Sequence, residues 1–91
     1  MEINMSLTPG LYRHYKGNEY QVFNLVTHSE TGEQLVVYRC LYGDFSWWVR
    51  PLAMFTESVV VGDVEQSRFQ FMRALTAADL AQFPSLPWAS A

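Results

Sequence analysis

Trp48 and Arg50 stand two positions apart in Gly43-Asp44-Phe45-Ser46-Trp47-Trp48-Val49-Arg50-Pro51. An indole beside a guanidinium is the composition of binding hot spots. Alternate side chains of a strand share a face, so Trp48 projects with Arg50, and Trp47 with Val49. If Trp47 and Val49 fill the core, Trp48 and Arg50 face outward and can stack as ring and cation. If Trp48 is inside, Arg50 shares its side and needs a carboxylate there, Asp44 or Glu57, because an unpaired buried cation is strongly destabilising. The residue types alone leave both arrangements open.

A second group interleaves rings and cations. Leu11-Tyr12-Arg13-His14-Tyr15-Lys16 reads as a strand with Tyr12, His14 and Lys16 on one face and Leu11, Arg13 and Tyr15 on the other. Rings stack while cations meet phosphate or carboxylate, although a solvated edge strand has the same composition. Tyr12, His14, Tyr38, Asp44, Trp48 and Arg50 are therefore the candidate binding residues.

Motifs for catalysis are absent: no glycine-rich phosphate loop, no paired cysteines at zinc spacing, no Gly-x-Ser-x-Gly elbow. Cys40 is the lone cysteine. It lies in an apolar run and reads as a buried structural thiol, since reactive cysteines need exposure and a cationic neighbourhood. His14 and His28 could meet Asp44 or Glu30 as metal ligands or as an acid–base pair. Nothing in the spacing forces that meeting, so no metal, cofactor or catalytic residue is expected.

These side chains need a scaffold, and 91 residues allow one domain. A chain of this size buries roughly 60–65% of its unfolded surface. Apolar residues make up 49% and charged residues 16%, which argues against disorder. A net charge of −3 is no signature of broad nucleic-acid binding, though Arg13, Lys16, Arg39 and Arg50 cluster in the first half. The lone cysteine allows no intrachain disulfide. No run approaches the ~20 apolar residues of a membrane span, and Met1 to Gly10 lacks the features of a secretory signal. The expectation is a cytoplasmic protein.

Turn signals cut the chain at short intervals. Pro9-Gly10 opens a strand that Lys16-Gly17-Asn18-Glu19 closes as a hairpin. Tyr20 to His28 alternates, with Tyr20, Val22, Asn24, Val26 and His28 on one face and Gln21, Phe23, Leu25 and Thr27 on the other. Gln34 to Tyr42 is largely apolar and β-branched or aromatic on both faces and reads as a central strand. Gly43-Asp44 interrupts it, Ser46 to Arg50 forms a short strand, and Pro51 ends that strand or marks an edge. Leu52 to Phe55 predicts one helical turn or an irregular corner. A last hairpin joins Ser58–Val61 to Val64–Met72 through Gly62-Asp63. Thr76 and Asp79 have the spacing of a capping box, opening a short helix that Pro84 stops. Pro84 to Trp88 is extended, and Trp88 either docks back or hangs free. The expected fold is mostly β: a small SH3-like antiparallel barrel of five to six strands over residues 9–72, with a short helical and extended tail over 73–91.

Gly10-Leu-Tyr-Arg-His-Tyr-Lys-Gly-Asn-Glu-Tyr20, then His28-Ser-Glu30, Val37-Tyr-Arg39, Leu41-Tyr-Gly-Asp44, Trp48-Val-Arg-Pro51 and Met54-Phe55, form an ordered pattern from about Pro9 to Phe71. It resembles the small bacterial family catalogued as domain of unknown function 1653. The family pattern holds Trp48, Arg50 and Pro51 rather than Trp47. The resemblance implies a compact β domain and no assigned activity, cofactor or substrate. From Arg73 onward the tail has no counterpart in it.

The reading that follows is a non-catalytic binding module for a flexible ligand, single-stranded nucleic acid or a peptide. One alternative is a small enzyme or enzyme subunit using a histidine–carboxylate pair. Another is a protein–protein accessory domain acting through Leu80, Phe83, Leu86 and Trp88 of the apolar tail. No membrane partner is expected, and oligomeric state is not legible.

Overall fold

The computed structural model describes residues 7–84, so Trp88 and the question of its docking lie outside the described residues. The strands, all paired antiparallel, are β1 Gly10–His14, β2 Glu19–Thr27, β3 Gln34–Cys40, β4 Trp47–Pro51, β5 Ser58–Val61, β6 Val64–Ser67 and β7 Phe69–Arg73. Two single-turn helices, α1 Leu52–Phe55 and α2 Ala77–Leu80, follow β4 and β7. No helix among the described residues is long and apolar enough to cross a membrane.

Most of the turn chemistry acts as the residue types suggest. The β1–β2 hairpin is closed by His14 donating its backbone N–H to the Asn18 carbonyl at 2.8 Å, with Gly17 at a φ of 110°. Gly62 supplies the positive φ between β5 and β6, where Val61 faces Val64 across the turn. Thr76 and Asp79 form both halves of the capping box. Leu52 to Phe55 makes its one helical turn because Pro51 enters with a fixed φ and Thr56 closes it, donating to the Leu52 carbonyl.

Three features depart from the sequence expectation. There are seven strands among the described residues rather than five or six, because Arg68 divides the single strand expected over Val64–Met72. Its backbone bonds Tyr15 and Glu57, sending β6 toward β5 and β7 toward β1. The main sheet runs β4-β3-β2-β1-β7, with β5 and β6 in a separate ribbon; no ladder among the described residues joins β4 to β7 in a closed barrel. Finally, the even alternation over Tyr20 to His28 is broken. The register slips between Val22 and Asn24, which face Tyr38 and Val37 on consecutive β3 positions. Phe23 is the extra residue of this bulge. Leu25 thereby joins Tyr20 and Val22 on the inner face, and Asn24 moves to the outer one.

The core lies on that inner face. Phe55 of α1 and Phe69 of β7 stack at 4.2 Å with planes 3° apart, and Tyr12, Val22, Val36 and Tyr38 surround them. Full burial of a ring such as Phe55 contributes about 1.5–3 kcal/mol. Tyr12 is only 6% exposed and donates its hydroxyl to the Thr8 carbonyl at 2.7 Å. It is a core residue, which corrects its assignment to the binding surface.

The outer face has a smaller packed layer. Phe23 stacks on Trp47 at 4.2 Å, and the Arg39 guanidinium lies over Phe23 and under Phe83 from the tail. Arg39 is 3% exposed and donates to Gln21 Oε1 and to the Pro84 carbonyl. Phe83 and Pro84 of the tail thus contact the domain itself.

Candidate ligand-binding cleft

The β3–β4 register sets the site. Tyr38 faces Trp48 and Val36 faces Arg50, and directly opposed residues project to the same side of a sheet. Trp48 and Arg50 therefore sit on the core face of the sheet, while Trp47 faces Arg39 on the other. Each tryptophan has its own use because both faces are packed. Trp48 nevertheless remains 55% exposed, since β4 is an edge strand and α1 covers the core only as far as Phe55.

Beyond the last core rings, this face opens into a cleft of about 430 Å³, within the range of small-ligand sites. Tyr38 and Cys40 form its floor, Tyr20 and Tyr42 one wall, and Trp48 and Arg50 the other. Tyr20 stands nearly perpendicular to both Tyr38 (5.5 Å, 74°) and Tyr42 (5.7 Å, 82°), an edge-to-face geometry that aromatic quadrupoles favour. The Tyr20 and Tyr42 hydroxyls are 3.0 Å apart. That bond, the Cys40 thiol and burial push the Tyr42 phenol above its usual value, so it stays neutral.

The loop from β3 to β4 shapes the far end. Gly43 and Phe45 both have positive φ, 60° and 54°; a left-handed non-glycine residue costs about 1–2 kcal/mol. The Phe45 ring meets Phe83 at 6.3 Å. Asp44 Oδ1 accepts the Ser46 backbone N–H at 3.0 Å, and Ser46 Oγ in turn accepts the Trp48 indole N–H at 2.8 Å. This chain of bonds fixes the indole against the rim.

Arg50 has neither of the carboxylate partners expected for it. Glu57 is paired with Arg68 instead. The Arg50 guanidinium lies 5.6 Å from the Phe69 ring centroid, and its Nε is buried without an acceptor. Among the described residues no hydrogen bond or ion pair meets its charge. Arg13 pairs with Glu19 and Arg73 with Asp79, and Arg39 is enclosed in the outer layer. Of the six basic residues, Lys16 and Arg50 are left without such a commitment among the described residues, and of these two Arg50 lines the cleft.

The cleft thus brings together Tyr38, Asp44, Trp48 and Arg50 of the sequence candidates. His14 lies beside it, its ring 4.9 Å from Phe69 and 6.5 Å from Tyr20. Burial first, then the charges of Arg68, Lys16 and Arg50, hold the His14 imidazole below its usual value. Its Nδ1 accepts the Lys16 backbone N–H, and His28 Nδ1 accepts those of Glu30 and Thr31. Among the described residues neither imidazole bonds a carboxylate, so the expected pairing with Asp44 or Glu30 is not assembled. Among the described residues no group of three or more His, Cys, Asp or Glu could hold a metal ion. Sequence reasoning missed Tyr20 and Tyr42. Their spacing from Gly17-Asn18 and Gly43-Asp44 places Tyr20 near the start of β2 and Tyr42 just beyond β3, but their meeting is set by β2–β3 pairing.

A solved structure from Bordetella bronchiseptica, a protein of the family of unknown function DUF1653, is similar to this chain. It is 38% identical, matches 77% of this chain and 92% of its own, and superposes with a TM-score of 0.70. No curated protein matches. The model of the same family, for which no function is known, matches residues 10–71, which include every residue lining the cleft. The chain belongs to the DUF1653 family.

Proposed function

We propose that this domain is a non-catalytic binding module, a half-open relative of SH3-like barrels, and that its cleft takes a flexible peptide segment of a partner protein. The observation that carries this reading is the exposed Trp48 beside an uncommitted Arg50, over a floor of buried tyrosine. Aromatic-lined grooves bind extended peptides at low entropic cost, and an exposed indole supplies contact area with few torsions to freeze.

Charge favours peptide over single-stranded nucleic acid. A strand-binding groove tracks several phosphates and shows a steep salt dependence. One free guanidinium with Asp44 at the opposite rim supports a single anionic contact. The buried, unlinked Cys40 thiol fits a reducing cytoplasmic setting.

The test is an amide NMR titration of the labelled protein, once with a mixed pool of capped peptides and once with a mixed-sequence single-stranded oligonucleotide at low salt. Peptide-induced shifts centred on Tyr20, Trp48 and Arg50 are expected. Shifts at those residues with the oligonucleotide alone would replace the peptide by a nucleic acid. Silence in both arms would overturn the module.

A further inference from the structure

The cleft has opposite charges at its two ends. Ser46, Trp48 and Arg50 are alternate residues, the last two on β4, and each step of two residues advances about 6.8 Å along a strand. Asp44 is held at the Ser46 end by its bond to the Ser46 N–H, with Oδ1 engaged and Oδ2 without a partner among the described residues. Arg50 stands at the other end, four residues beyond Ser46 and so roughly 14 Å of extended backbone from it, its charge answered only by the Phe69 ring. Between them lie the Trp48 indole and the perpendicular rings of Tyr20 and Tyr38. This is an acid, an aromatic stretch and a cation in a row.

Resting on the peptide-binding reading above, we propose that the cleft selects a dipolar peptide segment, with a basic and an acidic side chain four residues apart and an apolar ring between them. An extended chain advances about 3.1–3.4 Å per residue, so side chains at positions i and i+4 match the extended backbone interval from Ser46, which holds Asp44, to Arg50. The basic side chain meets the free Asp44 oxygen. The acidic one meets the guanidinium, which presents a planar fork suited to carboxylate. The central ring, proline being the stiffest choice, lies on Trp48. A uniformly acidic or uniformly basic ligand satisfies one end and is repelled at the other, so the arrangement discriminates by charge order as well as by charge.

Capped synthetic pentapeptides test this directly. The probe is Lys-Ser-Pro-Ser-Glu; its controls replace Lys by Gln, replace Glu by Gln, or lengthen the spacing with two further serines. Binding is read by NMR shifts of the labelled domain. Each control is expected to weaken binding about threefold to fivefold, the range of a well-placed solvent-accessible ion pair. The effect of the peptide Glu should vanish in Arg50→Gln, and that of the peptide Lys in Asp44→Asn, which keeps the acceptor for the Ser46 N–H. Arg50→Glu should prefer Lys-Ser-Pro-Ser-Lys over the original probe. If the peptides bind at Trp48 with no dependence on charge or spacing, the dipolar selection is wrong and the peptide module stands. If none of these peptides shifts the cleft residues while the mixed peptide pool does, the dipolar selection alone falls; if the pool is silent as well, both readings fall together.

Discussion

Tyr38 and Trp48 face each other across β3 and β4, yet Tyr38 is 5% exposed and Trp48 is 55% exposed. One cross-strand pair therefore joins the hydrophobic core to the open cleft. The two rings should respond oppositely to truncation. Tyr38→Ala removes a core ring and should cost about 3–5 kcal/mol, measured by urea unfolding. Trp48→Ala should change stability by less than about 1 kcal/mol and abolish ligand binding. A cost for Trp48→Ala similar to that for Tyr38→Ala would make the indole a structural residue.

Gly10 is held by contact as well as by conformation. Its φ is +149°, and a Cβ added there would lie 2.6 Å from the Arg73 carbonyl oxygen and 2.9 Å from Phe71 Cε1. Gly10→Ala must push β7 away from β1 and should cost about 1–3 kcal/mol. Gly17→Ala meets nothing within 4 Å and should cost only its backbone strain. Thermal unfolding of the two variants side by side separates crowding from strain.

Phe83 contacts both Arg39 and Phe45 and so links the tail to the outer face and to the cleft loop. Phe83→Ala should lower stability by about 1–2 kcal/mol, the worth of a largely desolvated ring–cation contact. Amide exchange should quicken through residues 43–46, because Phe45 loses the ring that supports its left-handed backbone. Unchanged exchange there would show that the loop holds its shape without the tail.

His14 gives the domain a pH dependence near neutrality. Its folded pKa lies below the usual 6.5, so the unfolded chain binds the proton more readily. The contribution of neutral His14 is fully present above about pH 6.5 and is lost as the pH falls toward and through the lowered folded value. Urea midpoints should therefore decrease as the pH drops from 7 to about 5. In His14→Asn, which retains an acceptor for the Lys16 N–H, that part of the slope should disappear. The Asp79 carboxyl, held low chiefly by Arg73 and then by Thr76, loses its stabilising effect only below the ordinary carboxylate range. The two acid limbs are thereby separable.

Local chemistry was legible in the residue types. Pro51 before Leu52–Phe55, Gly62-Asp63 between valine runs, and Thr76 three residues before Asp79 all specify dihedrals or bonds within a few residues. Tertiary structure did not need to choose among alternatives there. The same holds for the family pattern and for the grouping of Tyr38, Asp44, Trp48 and Arg50 around one loop. Their proximity is set by a single hairpin between β3 and β4.

Faces and partners were decided elsewhere. A bulge at Phe23 reverses the inward set of β2 because alternation has a period of two, and one inserted residue moves every later side chain across the sheet. Tyr12 went to the core because β7 pairs with β1 and brings Phe69 and Phe71 over it, a pairing between segments more than 50 residues apart. Arg50 found a phenylalanine ring where its neighbours suggested a carboxylate, because Glu57 was already engaged by Arg68. Each of these outcomes depends on which distant strand lies alongside. Strand pairing is a competition among non-local contacts, and a residue's own neighbours in the chain do not encode its result.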